Sequence, residues 1–250
     1  MGEMLLEHLK GNMPLCIIRP TMIISTYKEP FPGWIESAKI LDALTVAYGK
    51  GKLRFFLANP KGVINLIPAD MVVNAMAVAM VAHSNQNNND IIYHVGSSVS
   101  NPIKYHCLPN YAFRYFKENP WIDLHGNPVK VHKVIILDSM ASLHRRIFLR
   151  YQLPLKEVLE LVNAALCRYS QQFCADQNKK IHLVMKLVDL YKPYVFLDAL
   201  FDNKNTENLL SAAREGEVEM DLFYFDPKII NWEDYLIYIH FPGIIKHVMK

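Results

Sequence analysis

The stretch from Leu15 to Trp34, L-C-I-I-R-P-T-M-I-I-S-T-Y-K-E-P-F-P-G-W, restricts the fold of this chain more than any other. It opens on a short apolar run, Leu15 to Ile18, of the length and character of a strand buried on both faces. Arg19 and Pro20 are expected to end that ladder, because proline has no N–H to donate and restricts the residue before it. The segment that follows, Tyr27 to Trp34, is rich in proline and aromatic residues and suits no regular element. A buried strand that ends in a shaped apolar loop is where an open parallel sheet places its ligand.

The remaining residues supply the support such a strand needs. Met4, Leu5 and Leu9 have rough helical spacing and stop at Gly11-Asn12. Glu36 to Tyr48 reads as a helix with Ile40, Leu41, Leu44 and Tyr48 as its stripe, and Gly49 and Gly51 as its stop. Leu53 to Leu57 and Val63 to Ile67 are strand candidates on either side of the turn-forming Asn59-Pro-Lys-Gly62. Pro68-Ala-Asp70 then introduces a helix from Met71 to His83, with Asp70 at its N-cap or in its first turn. Ile91 to Val95 reads as a further strand and Tyr111 to Glu118 as a helix. Beyond about Ser139 helical periodicity takes over, as in Val158, Leu161, Val162, Ala165 and Leu166, so a domain change is expected near residues 135–150. Contacts past that boundary are expected to be mostly local.

Composition narrows the classes of function. The net charge of +3, with no basic cluster interleaved with aromatics, excludes a nucleic-acid surface. Cys16, Cys107, Cys167 and Cys174 show no C-x-x-C spacing and are expected to be reduced and mostly buried. The ten histidines form no H-x-x-x-H or Cys/His set, so no metal site is expected. There is no G-x-S-x-G elbow and no glycine-rich phosphate loop, and G-K-G-K at 49–52 follows a helix where a phosphate loop would precede one. No window approaches the roughly 20 uncharged apolar residues of a membrane span. On patterns alone Arg19 is expected to cap the sheet end through a carboxylate.

At these residues the chain resembles a known family. P-L-C-I-I-R-P-T-M-I-I-S-T-Y-K-E-P-F-P-G-W-I-E, then G-K-G-K and I-P-A-D-M-V-V-N-A-M, closely resemble the plant alcohol-forming fatty acyl-CoA reductases. The similarity continues through I-I-Y-H-V-G-S-S at 91–98, N-P-W-I-D at 119–123 and F-Y-F-D-P-K-I-I-N-W-E-D-Y at 223–235. The resemblance places the chain among the extended short-chain dehydrogenase/reductases. It implies an α/β fold: the C-terminal half of a Rossmann-like parallel-sheet domain over 1–134, then a mainly α-helical domain over 135–250.

The activity so implied is reduction of long-chain fatty acyl-CoA by NADPH, through the aldehyde, to a primary alcohol for wax, suberin or pollen-wall lipid. Pro20, Thr21, Met22 and Ile23 would meet the nicotinamide carboxamide through their backbone. Tyr27, Phe31, Pro32 and Trp34 would wall the acyl site, where each buried methylene contributes about 0.8 kcal/mol. The family's glycine-rich turn and catalytic Tyr-x-x-x-Lys lie ahead of the helix that reads G-E-M-L-L-E here, so the resemblance assigns no catalytic residue and the chain is expected to be an inactive C-terminal portion. An intracellular location is expected, at the endoplasmic reticulum surface or in the cytoplasm, with a plastid also open, and with peripheral membrane association. Two rivals stand beside this reading. One is a non-catalytic lipid-handling or membrane-surface helical module built on the aromatic residues of 230–250; the other is a different extended reductase such as a sugar epimerase.

Overall fold

A computed structural model describes residues 2–11, 13–84, 91–149, 182, 185–186, 188–189, 191–193, 195–197, 199–216 and 219–249. The helix expected around Val158–Leu166, with Cys167 and Cys174, lies outside the described residues. The chain divides into two compact units: residues 1–53, 63–133 and 199–250 form the first, and 54–62 with 134–198 the second.

The first unit is built on β1 (Cys16–Pro20) and β2 (Met22–Ile24), one extended run interrupted at Thr21. Strand β1 pairs in parallel with β6 (Ile91–Val95), in the register Cys16↔Ile91 to Pro20↔Val95. Strand β2 pairs in parallel with β5 (Leu66–Pro68), from Met22↔Leu66 to Ile24↔Pro68. The run changes partner because successive N–H groups of a strand point to opposite edges. Thr21 N–H donates to the Val95 carbonyl at 3.0 Å, and Met22 N–H donates to the Asn65 carbonyl at 3.0 Å. Pro20 ends the β1–β6 ladder, as its missing N–H suggested, while the chain stays extended into β2 on a different partner. It holds the last register position of β1, where the neighbouring N–H of Thr21 supplies the bond to Val95.

Helices flank these strands. The first, α1 (Gly2–Leu9), buries no residue, and its Glu3 carboxylate pairs with the Arg19 guanidinium, the expected carboxylate contact at the sheet end. Helix α2 (Ile40–Gly49) starts four residues later than its apolar pattern suggested. Asp42 fixes that start by accepting the Lys39 main-chain N–H at 2.9 Å, half of a capping box. The expected strand Val63–Ile67 is two: β4 (Val63–Ile64), antiparallel to β7 (Ile103–Lys104), and then β5. Helix α3 (Ala69–Ala82) follows β5 directly and lays Met71, Val72, Ala75, Val78 and Ala79 inward. Helix α4 (Cys107–Glu118) places Phe116 at 0% exposure.

Residues 199–250 return to this same unit, against the expectation that everything past 135 keeps to local contacts. Helix α6 (Lys204–Glu215) is tied to β6 by Thr206 Oγ1, which donates to the His94 carbonyl at 2.8 Å. A single turn α7 (Trp232–Asp234), a π-helix (Tyr235–His240) and α8 (Phe241–His247) bury Trp232, Tyr235, Leu236, Ile237, Phe241 and Ile244. Six of the tail's apolar side chains, three of them aromatic, are thus spent on packing, which removes the surface that the membrane-module reading required; Tyr238, at 71% exposed, is the exception.

The second unit pairs β3 (Phe55–Leu57) in parallel with β8 (Ile135–Leu137) and adds α5 (Met140–Ile147), capped by Ser139. Leu57, Leu137, Leu143 and Ile147 form its core. Among the described residues no helix is long and apolar enough to cross a membrane.

Candidate functional site

Strands β5 and β6 run parallel to the β1–β2 run, β6 ending beside Pro20 and β5 beside Ile24, with their carboxyl ends toward the edge where open α/β sheets bind ligands. Two hydroxyls wait there without partners. Thr21 Oγ1, just past β1, and Ser97 Oγ, two residues past β6, are buried and make no hydrogen bond. Gly96 is what lets Thr21 approach, since a Cβ there would stand 2.4 Å from Thr21 Cγ2. A buried polar atom without a partner is costly, but both oxygens are shut from solvent, Ser97 at 0% exposure, so neither hydroxyl is open to a ligand in this arrangement. Of the four residues expected to meet a cofactor through the backbone, Pro20 has no N–H, and those of Thr21 and Met22 are committed to neighbouring strands. The alternation of the strand turns Ile23 toward the edge beyond β6.

The loop from Ser25 to Trp34 closes over this edge, and its shape is fixed from below by Asp70. The carboxylate accepts the main-chain N–H groups of Tyr27 at 2.8 Å, Lys28 at 2.7 Å and Glu29 at 3.1 Å, and the Tyr224 hydroxyl as well. Asp70 is therefore in the first turn of α3 without serving as its cap: the N-cap is Pro68, which has no side-chain bond to give. Thr26 ties the far side, its Oγ1 donating to the Phe31 carbonyl at 2.7 Å and accepting the Trp34 N–H at 3.0 Å. At the loop's tip Gly33 meets Gly243 of α8 so closely that a Cβ on Gly243 would lie 2.0 Å from the Gly33 carbonyl oxygen.

The four residues expected to wall the acyl site do not share one environment. Tyr27 is half-buried, its ring 6.2 Å from that of Tyr224 and 5.9 Å from that of Tyr235. Phe31, Pro32 and Trp34 are exposed, Phe31 lying 5.7 Å from the His247 ring and Trp34 remaining 38% accessible. A small cavity of about 20 Å³ beside Val95, Gly96, Asn203 and Thr206 holds no more than a water molecule.

Under the loop lies a polar chain that the sequence reading missed. Ser25 Oγ is 2.9 Å from His240 Nδ1 and 3.0 Å from the Tyr235 hydroxyl, which itself donates to the Ser25 carbonyl at 2.6 Å. His240 Nε2 faces Asp42 Oδ1 at 3.4 Å. Burial pushes the His240 imidazole down to about 3 and raises the Asp42 carboxyl. The connectivity is that of a Ser-His-Asp triad, but Ser25, Asp42 and His240 are all at most 1% exposed, so the serine cannot reach a substrate. No local pattern around His240 points to Ser25, 215 positions away.

The reduction that the resemblance implies needs a proton donor, and Tyr-x-x-x-Lys spacing occurs twice, at Tyr48–Lys52 and Tyr224–Lys228. Neither fits. Tyr48 is 3% exposed, donates to the His132 carbonyl at 3.0 Å, and is pushed by burial up to about 12. Tyr224 is raised further, by burial and by its bond to Asp70. Catalysis calls for a shift in the opposite direction. Among the described residues no group of three or more His, Cys, Asp or Glu could hold a metal ion.

The parallel pairing of strands alternating with helices defines a Rossmann-like α/β fold. Two models of the male sterility protein family match it: the NAD-binding domain over residues 1–76 and the sterile domain over 151–250. Curated relatives include an alcohol-forming fatty acyl-CoA reductase of Simmondsia chinensis, 52% identical over 100% of this chain and 51% of its own length. Fatty acyl-CoA reductase 1 of Arabidopsis thaliana is 48% identical over 100% and 51%, and fatty acyl-CoA reductase 2 of Homo sapiens 26% over 100% and 46%. The chain belongs to the male sterility protein family, is similar along its length to fatty acyl-CoA reductases, and spans about half the length of the relatives it matches.

Proposed function

We propose that this chain supplies the loop-covered side of a reductase that converts long-chain fatty acyl-CoA to a primary alcohol with NADPH. The observation that carries the reading is the Ser25–Trp34 loop, clamped by Asp70 over the carboxyl ends of β2, β5 and β6, in a chain 52% identical throughout to a relative of that name. The Pro20–Ile23 segment, where β1 passes into β2, suits the nicotinamide end of the cofactor, which when bound supplies hydride. Tyr27 provides the half-buried apolar wall, and Phe31, Pro32 and Trp34 the outer rim past which an acyl chain would enter. Residues 1–134 are then the cofactor domain by descent and 135–250 the family's C-terminal domain, although 199–250 pack back onto the former. Contact with a membrane surface, on the endoplasmic reticulum or facing the cytoplasm, suits a product as apolar as a fatty alcohol.

Neither Tyr48 nor Tyr224 suits the role of proton donor, because both are raised and engaged. Joined in frame behind the N-terminal half of the Simmondsia chinensis relative, residues 1–250 should yield hexadecanol from hexadecanoyl-CoA with NADPH, and less with NADH. A soluble, cooperatively folded chimera that makes neither aldehyde nor alcohol would overturn the reading.

A further inference from the structure

Three separate elements meet beneath the loop. Asp42 comes from the first turn of α2, His240 closes the π-helix, and Ser25 is the first residue after β2. The other groups that bear on them are Lys39, which starts α2 and gives its N–H to Asp42 Oδ2, Asp70 from α3, and the Tyr235 hydroxyl. Asp42 Oδ1 and His240 Nε2 are left without a hydrogen bond by ordinary criteria, at 3.4 Å from each other.

Counting protons shows what this gap means. The Tyr235 hydroxyl hydrogen is committed to the Ser25 carbonyl, so the Ser25 hydroxyl has one hydrogen for two neighbours, Tyr235 Oη and His240 Nδ1. With Asp42 ionised, His240 carries its hydrogen on Nε2 toward Asp42 and Ser25 donates to Nδ1. The Ser25–Tyr235 contact at 3.0 Å then has no hydrogen of its own. With Asp42 protonated, the order reverses: Asp42 donates to Nε2, Nδ1 donates to Ser25, and Ser25 donates to Tyr235. Every contact then has a hydrogen, and no charge is buried.

We propose that Asp42 and His240 are the positioning pair of the Ser25–Trp34 loop, and that the proton Asp42 takes up decides how firmly the loop is held over the strand ends. That this matters for substrate rests on the reading of the loop as the wall of the acyl site. Ser25 passes the effect on through its neighbour Thr26, whose main chain and hydroxyl hold Phe31, Gly33 and Trp34. The loop is firm in the acid form and loosens as the pH rises and Asp42 ionises.

Peptide-resolved hydrogen exchange on residues 25–34 of the 250-residue protein, corrected for the intrinsic rate, tests this between about pH 5 and about pH 8. Loss of one hydrogen bond should lower protection roughly threefold to tenfold over that range. Asp42→Asn places an amide N–H permanently toward Nε2, so its protection should stay at the acid value at both ends. His240→Gln cannot relay a hydrogen and should stay low and flat. A wild-type loop with no pH dependence overturns the proposal, as does an Asp42→Asn protein that follows the wild-type slope. Should both variants fail to fold, the wild-type profile still decides. Adding hexadecanoyl-CoA separates the two readings. A pH-dependent loop that binds no acyl-CoA sinks the acyl wall and keeps the positioning pair, whereas binding over a pH-independent loop does the reverse.

Discussion

Asp70 shows how much one carboxylate can decide. A helix cap lost to alanine costs about 1 kcal/mol, but Asp70 accepts three loop N–H groups and a tyrosine hydroxyl in a setting only 5% exposed. Asp70→Ala should therefore cost about 3 kcal/mol or more in urea denaturation, with trypsin cutting faster after Lys28. A loss near the cap value would show that the loop holds its shape without it. His240 makes a prediction of a different kind. Its folded pKa, near 3, lies below the ordinary 6.5, so the unfolded chain binds a proton first as the pH falls and stability drops below about pH 6.5. Asp42 is raised and works the other way, gaining stability toward acid. His240→Gln removes the first effect, so its stability relative to wild type, from urea denaturation, should rise from pH 7.5 to pH 5.5, by at most about 1.4 kcal/mol per pH unit. A difference that stays constant with pH would mean that His240 titrates normally.

At the scale of elements, the loop and α8 are fitted backbone to backbone. Both glycines at that contact are buried, and Gly33 also has φ +78°, a left-handed conformation that other residues adopt at a cost. Gly243→Ala would drive a methyl group into the Gly33 carbonyl and should destabilise by about 1–3 kcal/mol. Gly2→Ala, with nothing within 4 Å, is the control and should be neutral. Equal melting points for the two would show that the loop does not rest on α8. The partner change at Thr21 is a second such feature: Pro20 ends the ladder with β6, and the chain stays extended because the next two N–H groups bond to Val95 and Asn65.

Across the whole molecule, the C-terminal fifty residues belong with the first unit. Tyr224, Phe225, Trp232, Tyr235, Leu236, Phe241 and Ile244 are each at most 7% exposed, and each large apolar side chain so buried is worth about 1.5–3 kcal/mol. Their sum, about 10–20 kcal/mol, is as large as the 5–15 kcal/mol by which a domain is stable. A protein ending at Met220 should lose near-UV circular dichroism and cooperative unfolding, and retention of both would show that the tail is dispensable. For the same reason residues 135–250 alone should aggregate rather than remain soluble.

Much of this was written locally. The apolar run at Ile91–Val95 is the strand β6 residue for residue, and Gly49 ends α2 as its position after a helical stripe required. The motif spanning Pro20 to Trp34 marked the site because a strand running into proline and aromatics has few other uses. Such features depend on neighbours within a few residues, where periodicity and turn chemistry act. The partners of the loop do not: Asp70 is 43 positions from Tyr27, and His240 is 215 from Ser25. Sequence therefore determined the strand, the loop and the family. Only the folded chain decided what holds the loop, because a buried hydrogen bond between distant residues leaves no period or spacing behind it, and exists only once packing has removed the water that would otherwise take its place.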